Sequence, residues 1–261
     1  MKRKNNGTFW DGGPGARIFG LLLEEEGFCL ACGERGRALS GGLCPSCRAA
    51  IDLTSICRKL TEEADFADFT VFSASFYNRF LRDQFAAYKF SGKSYKEEIF
   101  VSILDDYMKN HPVLSRAGWL TYLPMRKRRE TLRAYNPALN FARGLAMRRG
   151  LVLVHALRKV RESREQHTLS RRDRMDNVRG SYILAEEDGF LSAEFYQGKE
   201  MLTGKVRVED LMDREGILVD DLVTTGRTMV EGAGPLLERG IPIYGLSLAS
   251  ASYPNNDQKE N

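Results

Sequence analysis

The stretch ILVDDLVTTGRTM, residues 217–229, carries an apolar run straight into two adjacent carboxylates and then into hydroxyls and a glycine. Ile217, Leu218 and Val219 have the character of a buried strand. Asp220 and Asp221 end that strand, where two acids can reach the vicinal hydroxyls of a sugar. Thr224, Thr225, Gly226, Arg227 and Thr228 follow as a turn whose backbone N–H groups converge at the start of the next helix, a nest suited to a phosphate dianion. Gly226 lets the backbone approach closely where a side chain would block it. Sugar hydroxyls beside a terminal phosphate describe a ribose 5-phosphate. The plain alternative is an acid pair that only ends a strand. A Walker B strand also ends in acids, and AAYKFSGKS contains Gly92, Lys93 and Ser94. A Walker A loop, however, needs glycine where Ala87 stands, and it follows a strand whereas this segment ends a helix.

Outward from that stretch, FTVFSASF (69–76), GWLTYLP (118–124), LVLVHAL (151–157) and IPIYGLSLA (241–249) read as further short strands. Between them lie an amphipathic helix in NRFLRDQFAAYKF closing on Gly92, an Arg-rich helical stretch from about Lys127 to Arg149, and a helix in GRTMVEGAGPLLERG. Strands alternating with helices predict an α/β fold, a mainly parallel sheet flanked by helices on both faces. Ligands of such sheets sit beyond the carboxyl ends of the strands, where the acid pair falls. The acidic, weakly periodic residues 183–215 read as an insertion with a short helix and a hairpin.

Four of the five cysteines form two CxxC pairs, Cys29 with Cys32 and Cys44 with Cys47, eleven residues apart. Two such turns bring four thiolates onto one ion, the closed tetrahedral type of structural zinc site. A ribbon this small buries little surface, so metal ligation would supply most of its stability. Disulfides and a redox pair are the alternatives. The fifth, Cys57, lies in IDLTSICRKL, where Ile51, Ile56 and Leu60 suggest a short packed helix around a buried thiol.

No apolar run approaches the roughly 18 residues of a membrane span, so no membrane insertion is expected. The basic start is broken by Gly and Pro and its apolar stretch is short for a signal peptide, which leads to the cytoplasm. The net charge is +4, yet residues 126–179 hold sixteen Lys and Arg against five Asp and Glu, leaving −7 for the rest. Such a block serves a nucleic-acid backbone or a polyphosphate, or forms the solvated faces of helices. The histidines make no catalytic set: His155 ends an apolar strand and reads as packed, His111 precedes Pro112, and His167 could touch substrate. The expected divisions are an extension (1–26), a zinc-ribbon-like module (27–62), a main domain (63–254) with the 183–215 insertion, and a tail (255–261).

With those residues in view, ILVDDLVTTGRTM resembles the phosphoribosyl pyrophosphate (PRPP) signature of type I phosphoribosyltransferases, with Gly216 departing from the usual apolar opening. The order of a four-cysteine ribbon, YNRFLRDQFAAYKFSGK, LPMRKRRETLRAYNPALNFARGLA, QHTLSRRDRMDNVRGSY and the signature resembles the ComF family of competence-associated proteins, including its GntX-like members, from Cys29 to about Leu248. Where that family commonly reads Arg-Gly-Phe-Asn-Gln, this chain has Arg133, Ala134, Tyr135, Asn136 and Pro137, and Met125 stands in place of a second proline. The resemblance implies PRPP binding with Mg²⁺ chelated largely by PRPP itself. Asp220 and Asp221 would hold the ribose hydroxyls, and residues 224–228 the 5-phosphate. It also implies pyrophosphate contacts from Lys89, Arg126 and Arg129, and a mobile hood bearing Arg164 and Gln166, with Arg174 and Asn177 at recurring family positions. Two functions follow: a phosphoribosyltransferase with an unknown acceptor, or a non-catalytic adaptor that senses PRPP or a nucleotide, or binds single-stranded DNA. The family link favours DNA uptake, with a competence helicase and DNA-processing proteins as partners.

Overall fold

The computed structural model describes residues 27–35, 41–60, 69–125, 135–160, 180–198 and 200–252. It divides into two compact units, Met1–Ala50 and Ile51–Asn261, the break falling before the boundary expected near residue 62.

In the first unit the described residues form turns around a short helix, α1 (Pro45–Ala49), with Pro45 at a helical start where its missing N–H costs nothing. Leu30 donates its N–H to the Gly42 carbonyl at 2.8 Å, tying one cysteine turn to the other. Among the described residues of this unit the buried apolar ones are Cys29, Leu30, Leu43 and Cys47.

The second unit is built on strands β1 (Ile56–Lys59), β2 (Thr70–Ser73), β3 (Trp119–Tyr122), β4 (Val152–Val154), β5 (Leu157–Lys159), β6 (Tyr182–Leu184), β7 (Phe190–Gln197), β8 (Glu200–Arg207), β9 (Gly216–Val223) and β10 (Ile243–Ser250). Among the described residues one eight-stranded sheet runs β1-β2-β10-β9-β3-β4-β7-β8, and β5 and β6 form a separate antiparallel pair. The five central strands are mutually parallel and the outer pairings are antiparallel. The α/β expectation therefore holds. One correction concerns Cys57: its segment is strand β1, pairing antiparallel with β2, and the thiol is exposed rather than packed in a helix. Sheet pairing outweighs the weak helical spacing of Ile51, Ile56 and Leu60.

The helices are α2 (Arg79–Phe90), α3 (Glu97–Asn110), α4 (Pro137–Arg149) and α5 (Arg227–Leu237). Asn78 caps α2 by accepting from the Leu81 N–H, and Asn136 caps α4 by accepting from the Ala138 N–H. The Arg-rich helix thus begins at Pro137, and residues 126–134 lie outside the described residues. Helix α3 has no counterpart in the sequence reading, yet it buries Ile99, Phe100, Ile103, Leu104 and Met108. Connections from β2 to β3 and from β3 to β4 step one way along the sheet, whereas β9 to β10 steps back. Right-handed crossovers then place α2, α3 and α4 on one face and α5 on the other. Phe85, Tyr88, Phe100 and Phe141 form the aromatic core of the first face. On the second, Leu218 packs with Met229, Ala233 and Leu236 of α5.

Gly216 also finds its reason here. A Cβ there would lie 2.3 Å from Cζ2 of Trp119, so glycine opens β9 to admit the indole, whose Nε1–H donates to the Arg214 carbonyl. Residues 183–215 contain the β7–β8 hairpin and a short 3-10 turn at Glu209–Leu211.

Candidate active site

The step away from β9 in one direction and from β3 in the other makes their carboxyl ends a topological switch point, where the two following loops part and leave a crevice. Asp220 and Asp221 stand at that point.

Successive side chains in a strand face opposite ways, so the two acids serve different sides of the sheet. Asp221 shares its face with Ile217 and Val219, and Lys89, near the end of α2, reaches it at 2.5 Å while lying 4.0 Å from the centre of the Phe85 ring. Asp220 shares its face with Leu218, towards α5, and its Oδ1 accepts the Asp221 N–H at 2.8 Å. Burial first, and then the Asp221 carboxylate, push the Asp220 carboxyl up to about 8; the Asp221 N–H, Lys89 and Lys159 oppose the rise. On α5, Glu231 is likewise raised by burial to about 7, against Arg227 and Lys159. Arg227 lies 3.4 Å from Glu231 one turn on. Two carboxyls here retain protons near neutrality, and a cation or a hydroxylated ligand entering the crevice competes with those protons.

The acids were expected to end the strand, but β9 continues past them through Leu222 and Val223 before the turn begins, because both residues still pair with β10. Gly226 caps α5 in the left-handed region (φ 85°), and a Cβ would lie 2.6 Å from Cδ1 of Leu60. Both conditions call for glycine. Glycine brings no capping side chain of its own, the Arg227 N–H donates to Oγ1 of Thr225 at 3.4 Å, and Thr224, Thr225 and Thr228 are exposed. The Thr224 carbonyl is turned outward: it accepts from Nη1 of Arg58 at 2.9 Å and from Oγ of Ser252 at 3.2 Å, while Nη2 of Arg58 donates to Ser252 Oγ at 2.8 Å. Arg58 of β1 and Ser252 beyond β10 therefore hold the back of the turn.

Of the residues expected from sequence, the structure pairs Lys89 with Asp221 at 2.5 Å, and the exposed threonine turn leads into Arg227 at the start of α5. Arg126, Arg129, Arg164, Gln166, Arg174 and Asn177 lie outside the described residues. Sequence reasoning missed Arg58, Lys159 and a polar row on the α4 side. In that row Tyr122 OH lies 3.1 Å from Nδ1 of His155, whose Nε2 lies 3.1 Å from Oε1 of Glu194. Arg143 of α4 grips both oxygens of Glu194 at 3.0 and 2.6 Å, and Tyr196 donates to it as well. His155, expected merely to pack, is thus bonded through both ring nitrogens. A lysine ending the LRK strand and a histidine ending an apolar one were the available signals for two of these residues. Nothing local marks Glu194.

In the first unit the sulfurs of Cys29, Cys32, Cys44 and Cys47 all lie within 4.8 Å of one another, and those of Cys32 and Cys44 are 3.9 Å apart. Tetrahedral Zn–S bonds of about 2.3 Å give sulfur separations of about 3.8 Å, so the quartet fits a four-thiolate zinc centre. Burial raises the Cys29 thiol, but N–H groups of Cys44, Cys32 and Ala31 bring it down to about 6. Cys47 is pushed upward by burial and by the neighbouring sulfurs. Among the described residues, no helix is long and apolar enough to cross a membrane.

No protein-family model matches the chain. It is similar to the competence protein ComFC of Bacillus subtilis (strain 168), with 23% identity over 242 residues, 86% of this chain and 83% of that protein. Among solved structures it is similar to an adenine phosphoribosyltransferase from Thermoanaerobacter pseudethanolicus, at 17% identity and a TM-score of 0.32, over 61% of this chain and 83% of the other. The fold described above stands on its own sheet order, not on that likeness.

Proposed function

We propose that the chain is a ComF-like protein of the type I phosphoribosyltransferase class, which binds PRPP with Mg²⁺ in the crevice at the tips of β9 and β3. One observation carries this reading: an acid pair at the switch point is followed, after the last two residues of β9, by a turn leading to a glycine-capped helix N-terminus. Asp220 and Asp221 hold the ribose hydroxyls, and the 224–228 turn holds the 5-phosphate. Lys89, already beside Asp221, moves its ammonium onto the pyrophosphate once that anion arrives. Two carboxylates suit Mg²⁺, which takes one or two and keeps several waters. The reaction is transfer of the phosphoribosyl group to an acceptor, with pyrophosphate leaving and the protein supplying position and charge. Arg126, Arg129, Arg164, Gln166, Arg174 and Asn177 complete the pyrophosphate side and the hood in this reading. Similarity to a competence protein supports a role in natural transformation, alongside a competence helicase and single-strand handling proteins in the cytoplasm.

The alternative, a non-catalytic adaptor that grips single-stranded DNA or senses a nucleotide, draws on the basic block at 126–179. Within α4 that support weakens: Arg143, Arg148 and Arg149 are each paired with a carboxylate, on Glu194, Glu98 and Asp105. Calorimetric titration with PRPP and Mg²⁺ is the test. We expect saturable one-site binding that falls at least tenfold in Asp221→Asn. Equal binding by that variant, or none by the natural protein, rejects the site.

A further inference from the structure

Arg227 and Glu231 stand where helix stability alone would not put them. Arg227 is the first residue of α5 and Glu231 comes one turn later, with Nε of the arginine 3.4 Å from Oε1 of the acid. A cation at a helix N-terminus opposes the macrodipole, and the order Arg then Glu at this spacing is the weaker one for a helix. The acid is also buried, with 14% of its side chain exposed, and among the described residues Oε1 accepts no well-formed hydrogen bond. An ionised carboxyl in such a place costs stability. Holding α5 together therefore does not account for the pair.

Arg227 directly follows Gly226, so its guanidinium is one side-chain length from the 224–228 turn. Helical side chains lean towards the N-terminus, which carries Arg227 over the turn and brings Glu231 back to meet it. Resting on the assignment of that turn to a phosphate, we infer that Arg227 is an arm for the phosphate and that Glu231 is a positioning residue that latches the arm off the turn until a proton releases it. Ionised Glu231 holds the guanidinium and also repels an incoming dianion. Neutral Glu231 does neither, and the proton it takes up comes from solvent and stays on the carboxyl while the ligand is bound. Burial is the main cause that raises this carboxyl, to about 7, against Arg227 and Lys159, so the latch changes state near neutrality. The charged or titratable groups around Glu231 are Arg227 on its own helix and Lys159 of β5. Through Lys159 it is linked to the Tyr182 hydroxyl of β6 and to Asp220 of β9. Leu123, just past β3, and Gly245 of β10 face α5 without charge. The sign follows from the direction of release. Below about pH 7 the carboxyl is already neutral, and above it binding must draw in a proton or proceed without the arm, so affinity weakens as the pH rises.

The probe is ribose 5-phosphate without metal, titrated calorimetrically into the full chain at about pH 6.5 and about pH 8.5, both above the phosphate's own second ionisation near 6. Asp220, raised to about 8, titrates in the same range in every variant, so the measurement is the difference between proteins rather than the slope of one. Glu231→Gln fixes the latch open: it should bind within about twofold of the natural protein at the lower pH and about tenfold more tightly at the higher. Arg227→Gln removes the arm at a partly exposed position, and should cost about tenfold in Kd at the lower pH. A pair with only a structural role would move the melting temperature of both variants and leave the pH dependence of binding alone. The same pH dependence in Glu231→Gln and the natural protein overturns the latch. Should that variant not fold, Arg227→Gln decides: binding as tight as the natural protein's at the lower pH overturns the arm and the latch together, with the phosphate turn itself left standing. Absence of ribose 5-phosphate binding by the natural protein at both pH values removes this inference and the assignment of the turn alike.

Discussion

Glu194 is a carboxylate inside the fold, and its acid titration should be visible in the stability of the whole protein. Its pKa in the folded state, about 2, lies below the ordinary 4.5 because three donors outweigh burial. Folding therefore favours the ionised form. The stabilisation is complete above about pH 4.5 and is lost as the pH falls towards about 2. The gap corresponds to about 3 kcal/mol. Glu194→Gln should lose roughly that amount at pH 7 in urea unfolding, and the difference from the natural protein should close across the same acid window. Parallel acid limbs for the two proteins would show that Glu194 is not the group responsible. Residues of this kind are where sequence reading stops. Asp220, Asp221, the threonine turn and the four cysteines announce themselves because their chemistry is contiguous. Tyr122, His155 and Glu194 come from three segments and meet only through the registers of β3, β4 and β7.

Strand β1 shows the same limit for elements. Its burial pattern, with Ile56 inside and Cys57 outside, is set by pairing with β2 across residues that a local reading cannot see. What the misreading concealed is a clamp: Arg58 and Ser252 hold the Thr224 carbonyl away from the crevice. A carbonyl rotated inward would place a partial negative charge against a bound phosphate, so the clamp favours anion binding without touching the anion. Hydrogen bonds from a charged donor contribute about 1.5–3 kcal/mol when well buried, and Arg58 is only half-buried, which brings the expectation to about 1 kcal/mol. Arg58→Ala should weaken PRPP binding about fivefold in calorimetry, with Arg58→Lys recovering part of the loss. An unchanged dissociation constant would mean that the turn holds its shape unaided. The central strands, by contrast, were legible as elements, because each is an apolar run bounded by turn residues and separated from the next by a helix.

At the scale of the molecule, the two units differ in what keeps them folded. The second has extensive apolar cores on both faces of its sheet. Among its described residues the first buries few apolar ones, two of which are themselves cysteines of the quartet suited to a metal. A module of that size has little hydrophobic stabilisation to set against its chain entropy, whereas a structural four-thiolate zinc site contributes apparent energies on the order of 10 kcal/mol. Removing the metal should therefore unfold the cysteine module selectively. After chelation, limited proteolysis is expected to cut before residue 51 and spare the sheet, whose thermal transition by circular dichroism should stay within a few degrees. Replacing Cys29 and Cys32 with serine should reproduce that pattern without chelator, separating loss of the site from any effect of the chelator on Mg²⁺. PRPP binding by the serine variant is the sharper measurement. All the groups assigned to the ligand, from Lys89 to Thr228, belong to the second unit, so the affinity should be unchanged. A large loss of affinity would mean that the cysteine module helps to form the crevice, and that PRPP binding cannot be assigned to the sheet unit alone.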